Sequence, residues 1–210
     1  TKIRGSRAPL TGKFDVLGWD AVGTVESTGA EVGAFKVGDR VFYAGAIDRP
    51  GTNAEYHLVD ERIVGRAPVS LSDAEAAALP LTAITAWELL FDRFGISEGG
   101  GAGQTLLVIG GAGGVGSILV QLARQLTDLT VVATASRPES ARWVTDLGAQ
   151  HVINHHQPML AQLQAKGIEQ VELVASLTHT VEHYEDIVEC LAPQGKFGLI
   201  DDFESLDVLK

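Results

Sequence analysis

A chain of 210 residues that is 45% hydrophobic can bury a sizeable core, as one large or two small domains. Its net charge of −11 is spread along the sequence, repels phosphate backbones and speaks against a nucleic-acid partner. One cysteine, Cys190, excludes an internal disulfide framework and a multi-cysteine zinc site, and no apolar run reaches bilayer length or forms a signal-peptide core. These features predict a soluble cytoplasmic protein with no membrane partner, in which Cys190 is a buried thiol on the apolar side of a helix.

Taken in chain order, residues 1–13 are polar, basic and glycine-containing, and predict a loop. From Phe14 to about Val64 short runs of β character are separated by turn residues. Residues 21–29 alternate small or branched with polar side chains, and residues 37–45 set a Gly-Asp turn before an apolar strand. Residues 54–60 and 62–66 follow in the same style, so the segment predicts a small β-barrel or sandwich. Helical signals begin at Ser72, which forms a capping box with Glu75, and Pro80 is expected to end that helix. Residues 81–94 have apolar side chains at helical spacing and predict a second helix. Residues 96–103 read as a glycine-rich connector.

The strongest pattern is QTLLVIGGAGGVG, residues 104–116. An apolar run of strand length breaks into glycines and enters an amphipathic helix, with Gly111, Gly113 and Gly116 in G-x-G-x-x-G spacing. The first glycine allows the tight turn, the second lets backbone N–H groups approach a pyrophosphate, and the third packs the helix on the strand. Gly114 and Val115 complete the turn, and the helix N-terminus adds unpaired donors and positive dipole. A bare glycine pattern says little, but this one has a strand before it, a helix after it and a second strand on schedule. Beyond it, strands are expected at 106–110, 129–135, 151–154, 171–176 and 196–201, alternating with helices at 114–126, 138–147, 158–166 and 180–191. Near-continuous apolar strands between helices indicate an α/β fold: five parallel strands, doubly wound, with right-handed crossovers.

The end of the second of these strands bears on the nucleotide. A carboxylate there would hold the ribose 2′-hydroxyl of NAD. The chain instead reads Ser136-Arg137, with no carboxylate before Glu139, and a hydroxyl with a guanidinium suits the 2′-phosphate of NADP(H). Ser136 can equally N-cap the following helix, with Glu139 completing the box.

The order of these stretches resembles the medium-chain dehydrogenase/reductase superfamily, and within it the zinc-free quinone oxidoreductase branch, often labelled zinc-type alcohol dehydrogenase-like proteins. The matching residues are LGWDAVGTVESTGAEV, FKVGDRVFYAG, GTNAEYHLVD, ALPLTAITAWELL, LLVIGGAGGVGSILVQLAR, LGAQHVINH and LAPQGKFGLID. The resemblance implies a GroES-like β-rich catalytic domain over 1–95 and a Rossmann dinucleotide-binding domain over 96–210. Each is expected to be partial, with further strands before Thr1 and after Lys210, so the chain reads as a piece of a longer parent that is a homodimer.

What the resemblance implies chemically is hydride transfer from NADPH to a quinone, or to the carbon–carbon double bond of an unsaturated carbonyl, in a cleft between the domains. Zinc-dependent members carry Gly-His-Glu where this chain has Gly18-Trp19-Asp20, and an indole binds no metal, so no metal ligand is assigned. Trp19 then lines the substrate pocket or packs in the core. Tyr43 either donates a hydrogen bond to the substrate carbonyl or packs within its strand. Thr85 faces the cofactor or back-bonds to a helix carbonyl. Asn154 lies near the adenine or caps the next segment. Ser176, Leu177 and Thr178, with Ile200 and Asp201, stand at carboxyl ends of strands, where the cofactor binds. Two histidine patterns are set aside as metal sites: His155-His156, read as an exposed turn, and His179 with Glu182 and His183 in H-x-x-E-H spacing, read as lying at the surface or near the cofactor rim. Two other readings remain open, a nucleotide-binding module without turnover and a zinc-dependent alcohol dehydrogenase.

Overall fold

The computed structural model describes residues 16–201, so the loop expected over 1–13 lies outside the described residues. The chain divides into two compact units that part between Thr82 and Ala83. In the first, β1 (Asp20–Thr24), β2 (Arg40–Ala44) and the two-residue β3 (Gly65–Arg66) form one antiparallel sheet in that order. Ala21 stands opposite Tyr43, and Val41 opposite Arg66.

The β content is lower than the alternation implies. Among the described residues there is one three-stranded sheet rather than a closed barrel or sandwich. Residues 54–60 are irregular, and 62–66 hold only the end of a 3₁₀ turn, Glu61–Ile63, and the short β3. The local cause is Asp60: its carboxylate accepts from Arg62 N at 3.0 Å and is gripped by the Arg62 guanidinium, closing a tight turn in place of a ladder.

Ser72 and Glu75 form the capping box of α1 (Asp73–Ala77). That helix stops before Pro80, which instead opens α2 (Pro80–Trp87), since a first helical position needs no N–H. The expected continuous helix over 81–94 changes pitch, because Glu88–Arg93 is a π-helical turn.

The second unit matches the α/β expectation closely. Its strands β4 (Thr105–Ile109), β5 (Thr130–Thr134), β6 (His151–Ile153), β7 (Val171–Ser176) and β8 (Leu191–Leu199) form a parallel sheet in the order β6-β5-β4-β7-β8. Between them run α3 (Gly114–Leu126), α4 (Pro138–Asp146), α5 (Met159–Gln164) and α6 (Thr180–Cys190).

Every residue of β4 is buried, and its side chains alternate between two cores. Leu106 and Val108 pack with Leu119, Val120, Leu89 and Phe94, while Leu107 and Ile109 pack with Val174, Met159, Leu163 and Ile187. Cys190 belongs to the second core, where burial pushes its thiol up to about 12. The last strand starts earlier than the expected 196–201. Leu191 already pairs with Val171, and the register then jumps so that Lys196 faces Leu173, with Gln194 at a φ of 65° inside the bulge. No helix among the described residues is long and apolar enough to cross a membrane.

Candidate functional site: a glycine turn at the sheet switch point

The chain leaves β4 on one side through β5 and β6, and returns on the other through β7 and β8. The carboxyl ends of β4 and β7 therefore flank the point where strand order reverses, which is where open α/β sheets bind ligands. Gly110 ends β4 there with a φ of +81°, and a Cβ added to it would meet Thr178 Cγ2 at 2.8 Å. Its N–H donates to Thr134 Oγ1 at 3.1 Å, which ties the end of β5 to the same turn.

Gly111 continues the turn, Gly113 caps α3, and Gly113 N–H bonds back to Gly110 O at 3.0 Å. Gly116 has no room for a side chain, because a Cβ would stand 2.5 Å from Gly110 O and 2.7 Å from Gly111 Cα. That close approach seats α3 directly on the turn, with Val115 packed against the first core. The N–H groups of Gly114, Val115 and Gly116 lie in the first helical turn, where backbone donors have no acceptor within the helix and the dipole is positive.

Around this turn the expected residues divide. Leu177 N donates to Ile109 O at 3.2 Å, so Leu177 and Thr178 lie beside the glycine turn. Ser176 is fully buried and its hydroxyl bonds Thr180 Oγ1 at 2.7 Å, while Asp201 Oδ2 accepts from Thr180 N at 3.1 Å. Those two side chains hold the start of α6. Ile200 N donates to Ser176 O, and its side chain is exposed.

Ser136 and Arg137 are exposed at the end of β5. The capping alternative for Ser136 does not hold: the N-cap of α4 is Arg137, without a side-chain cap bond, and Pro138 occupies the first turn. Asn154 Oδ1 accepts from His156 N at 2.9 Å, and the Gln162 amide brackets the Asn154 backbone N–H and carbonyl. Thr85 is half-buried in α2, and Thr82 is seen to back-bond to the Leu79 carbonyl at 2.9 Å.

The histidines gather near the start of α6. His155 stacks edge-on against His156 and His183 at 4.4 and 5.4 Å between centroids. Burial, followed by its imidazole neighbours, holds the pKa of His155 below the usual value, and burial lowers that of His183. His179 precedes the helix in a left-handed conformation, its Nδ1 2.7 Å from Thr178 Oγ1. Among the described residues no three His, Cys, Asp or Glu side chains are arranged to hold a metal ion.

In the first unit Tyr43 is 8% exposed, and burial raises its pKa. Its hydroxyl lies 2.9 Å from His57 Nδ1, with the rings stacked at 5.7 Å, and His57 Nε2 lies 3.0 Å from Pro50 O. Trp19 is half-buried, and its carbonyl accepts from Gly45 N at 2.9 Å. The neighbouring Asp20 carboxylate accepts from Leu81 N at 2.7 Å.

Sequence reasoning missed Gly110, Thr134 and His57. Gly110 precedes the recognised glycine spacing, and no motif marks Thr134. His57 meets Tyr43 across fourteen residues of an irregular loop, a separation that periodicity cannot encode.

The sequence profile described as alcohol dehydrogenase GroES-like domain matches residues 2–69, and that described as zinc-binding dehydrogenase matches residues 114–201. A zinc-type alcohol dehydrogenase-like protein of Staphylococcus aureus is 44% identical over 200 residues, covering 93% of this chain and 59% of the relative. A Rhizobium etli protein provisionally named a zinc-dependent alcohol dehydrogenase superposes with a TM-score of 0.87 and 56% identity, over 93% of this chain and 57% of its own. The Escherichia coli quinone oxidoreductase complexed with NADPH superposes with a TM-score of 0.74 and 26% identity, over 90% of this chain and 58% of its own. The chain thus spans somewhat over half the length of these proteins.

Proposed function

From a chain that belongs to the medium-chain dehydrogenase/reductase superfamily, we infer a protein that transfers hydride from NADPH to a quinone or an α,β-unsaturated carbonyl without zinc. NADPH, when bound, supplies the hydride. The residues of the glycine turn fit its pyrophosphate, since Gly116 leaves α3 close against β4 and the first-turn N–H groups are unclaimed by the helix.

The observation that carries the NADPH reading is the end of β5. Thr134 is bonded to the glycine turn, and two residues later the chain offers an exposed hydroxyl and guanidinium where a carboxylate would favour NAD. No described side chain pairs with the Arg137 guanidinium, which leaves it to grip a phosphate.

Several relatives carry zinc in their names, but the residues here do not suit the metal. Trp19 stands where zinc-dependent relatives have a histidine ligand, and the adjacent Asp20 carboxylate accepts from the α2 backbone. The remaining chemistry falls to positioning and to a proton donor for the substrate oxygen, for which Tyr43 is the proposed residue and Trp19 a proposed wall of the pocket. Arg137→Ala tests the cofactor assignment. Removing a charged hydrogen-bond partner worth about 1.5–3 kcal/mol should weaken NADPH roughly ten- to a hundredfold, and leave NADH nearly unchanged. Equal losses for both nucleotides would remove the phosphate-clamp role.

A further inference from the structure

A carbonyl oxygen only accepts, so the His57 nitrogen facing Pro50 O must carry a hydrogen. With Nε2 protonated, the neutral ring has an acceptor at Nδ1, and the Tyr43 hydroxyl donates to it. The phenol proton is therefore committed to His57 rather than to anything outside. The stacked rings and the buried phenol fix this arrangement.

We propose that His57 is a positioning residue that governs whether Tyr43 can protonate the substrate oxygen. This rests on the reductase reading above. When His57 takes a second proton, Nδ1–H donates to Tyr43 Oη, Nε2–H remains on Pro50 O, and the phenol O–H turns free. On that reading, a substrate reduced by hydride from bound NADPH would take the Tyr43 proton on its oxygen, and Tyr43 would take the proton of His57 Nδ1. One hydride and one proton have then been delivered, and His57 is left neutral with Nε2–H on its carbonyl anchor. Run backwards, the same relay accepts a proton from an enol or hydroquinone.

Few charges compete for this pair among the described residues. On β2, Tyr43 is flanked by Phe42 and Ala44, and Arg40 is paired with Asp73. On β1, Asp20 is bound to Leu81 N. In the loop that carries His57, Asp48, Arg49 and Glu55 are the charged residues before Asp60, and Asp60 is held by Arg62. None of them bonds either ring.

Two readouts test the relay on the intact protein. Long-range ¹H–¹⁵N NMR should show neutral His57 protonated at Nε2, with a hydrogen-bonded Nδ1 resonance that moves in Tyr43→Phe. Protonation at Nδ1 instead would overturn the proposal. With NADPH and 2-cyclohexen-1-one, His57→Phe should lower kcat by ~10²-fold at nearly unchanged KM, and erase the fall of kcat with rising pH that the relay requires. His57→Gln, which can still bond Tyr43 but cannot shuttle a proton, should keep the fold and remain as slow. Wild-type kcat and pH profile in His57→Phe would overturn the relay and leave the reductase reading standing. Absence of turnover by the unsubstituted protein would overturn the reductase reading and the relay with it.

Discussion

Gly116 shows how one missing side chain sets the site. A Cβ at this position would fall 2.5 Å from a backbone oxygen that cannot move away without reshaping the turn. Gly116→Ala is expected to cost about 1–3 kcal/mol by overpacking, and to weaken NADPH binding together with stability. A variant that melts and binds like the parent would mean that α3 is seated by something else. The glycine spacing itself was legible, because it needs only residue type and order. What the spacing could not reveal is that Gly110 carries the left-handed turn under the Thr178 methyl, a contact made between strands 68 residues apart. The paired roles of Ser176 and Asp201 were hidden for the same reason. Their position at strand ends was readable, but the bond from Asp201 to Thr180 depends on β8 lying beside β7.

Among the elements, α1 is the clearest case of a helix held by its cap. It has five residues, and Ser72 accepts from Glu75 N while the Glu75 carboxylate accepts from Ser72 N and Oγ. These bonds hold the Glu75 carboxyl below its usual pKa. Ser72→Ala should destabilise the first unit by about 1 kcal/mol and raise the Glu75 pKa; a Glu75 titration that does not move would contradict the cap. Around α6, burial favours neutral His155 and His183. The folded pKa values lie below the unfolded ones, so this part of the stability is full above about pH 6.5 and is lost as pH falls through the lowered values. NMR titration should find both midpoints below about 6.5, and ordinary midpoints would show that the cluster is open to water.

Element by element, legibility followed burial. The buried strands β4, β5 and β7, and α3 with its strong apolar stripe, were read nearly to the residue. The segment 54–66 misled because alternation alone resembles a strand, whereas the Asp60–Arg62 fork favours a local turn. The two-residue β3 and the bulge inside β8 likewise depend on partner strands that no local pattern specifies.

In the whole molecule, the α/β unit carries a glycine turn at its switch point, and the β-rich unit carries Trp19, Tyr43 and His57. The proposed activity is hydride transfer from NADPH with no metal at the reacting centre, and one experiment tests both parts. The intact protein is supplied with NADPH and either 2-cyclohexen-1-one or 1,4-benzoquinone, and nucleotide oxidation is followed before and after exhaustive chelation. The expected result is acceptor-dependent consumption of NADPH, far faster than that of NADH, at a rate unchanged by chelation. Binding without consumption, or activity that disappears with the chelator and returns with zinc, would contradict it.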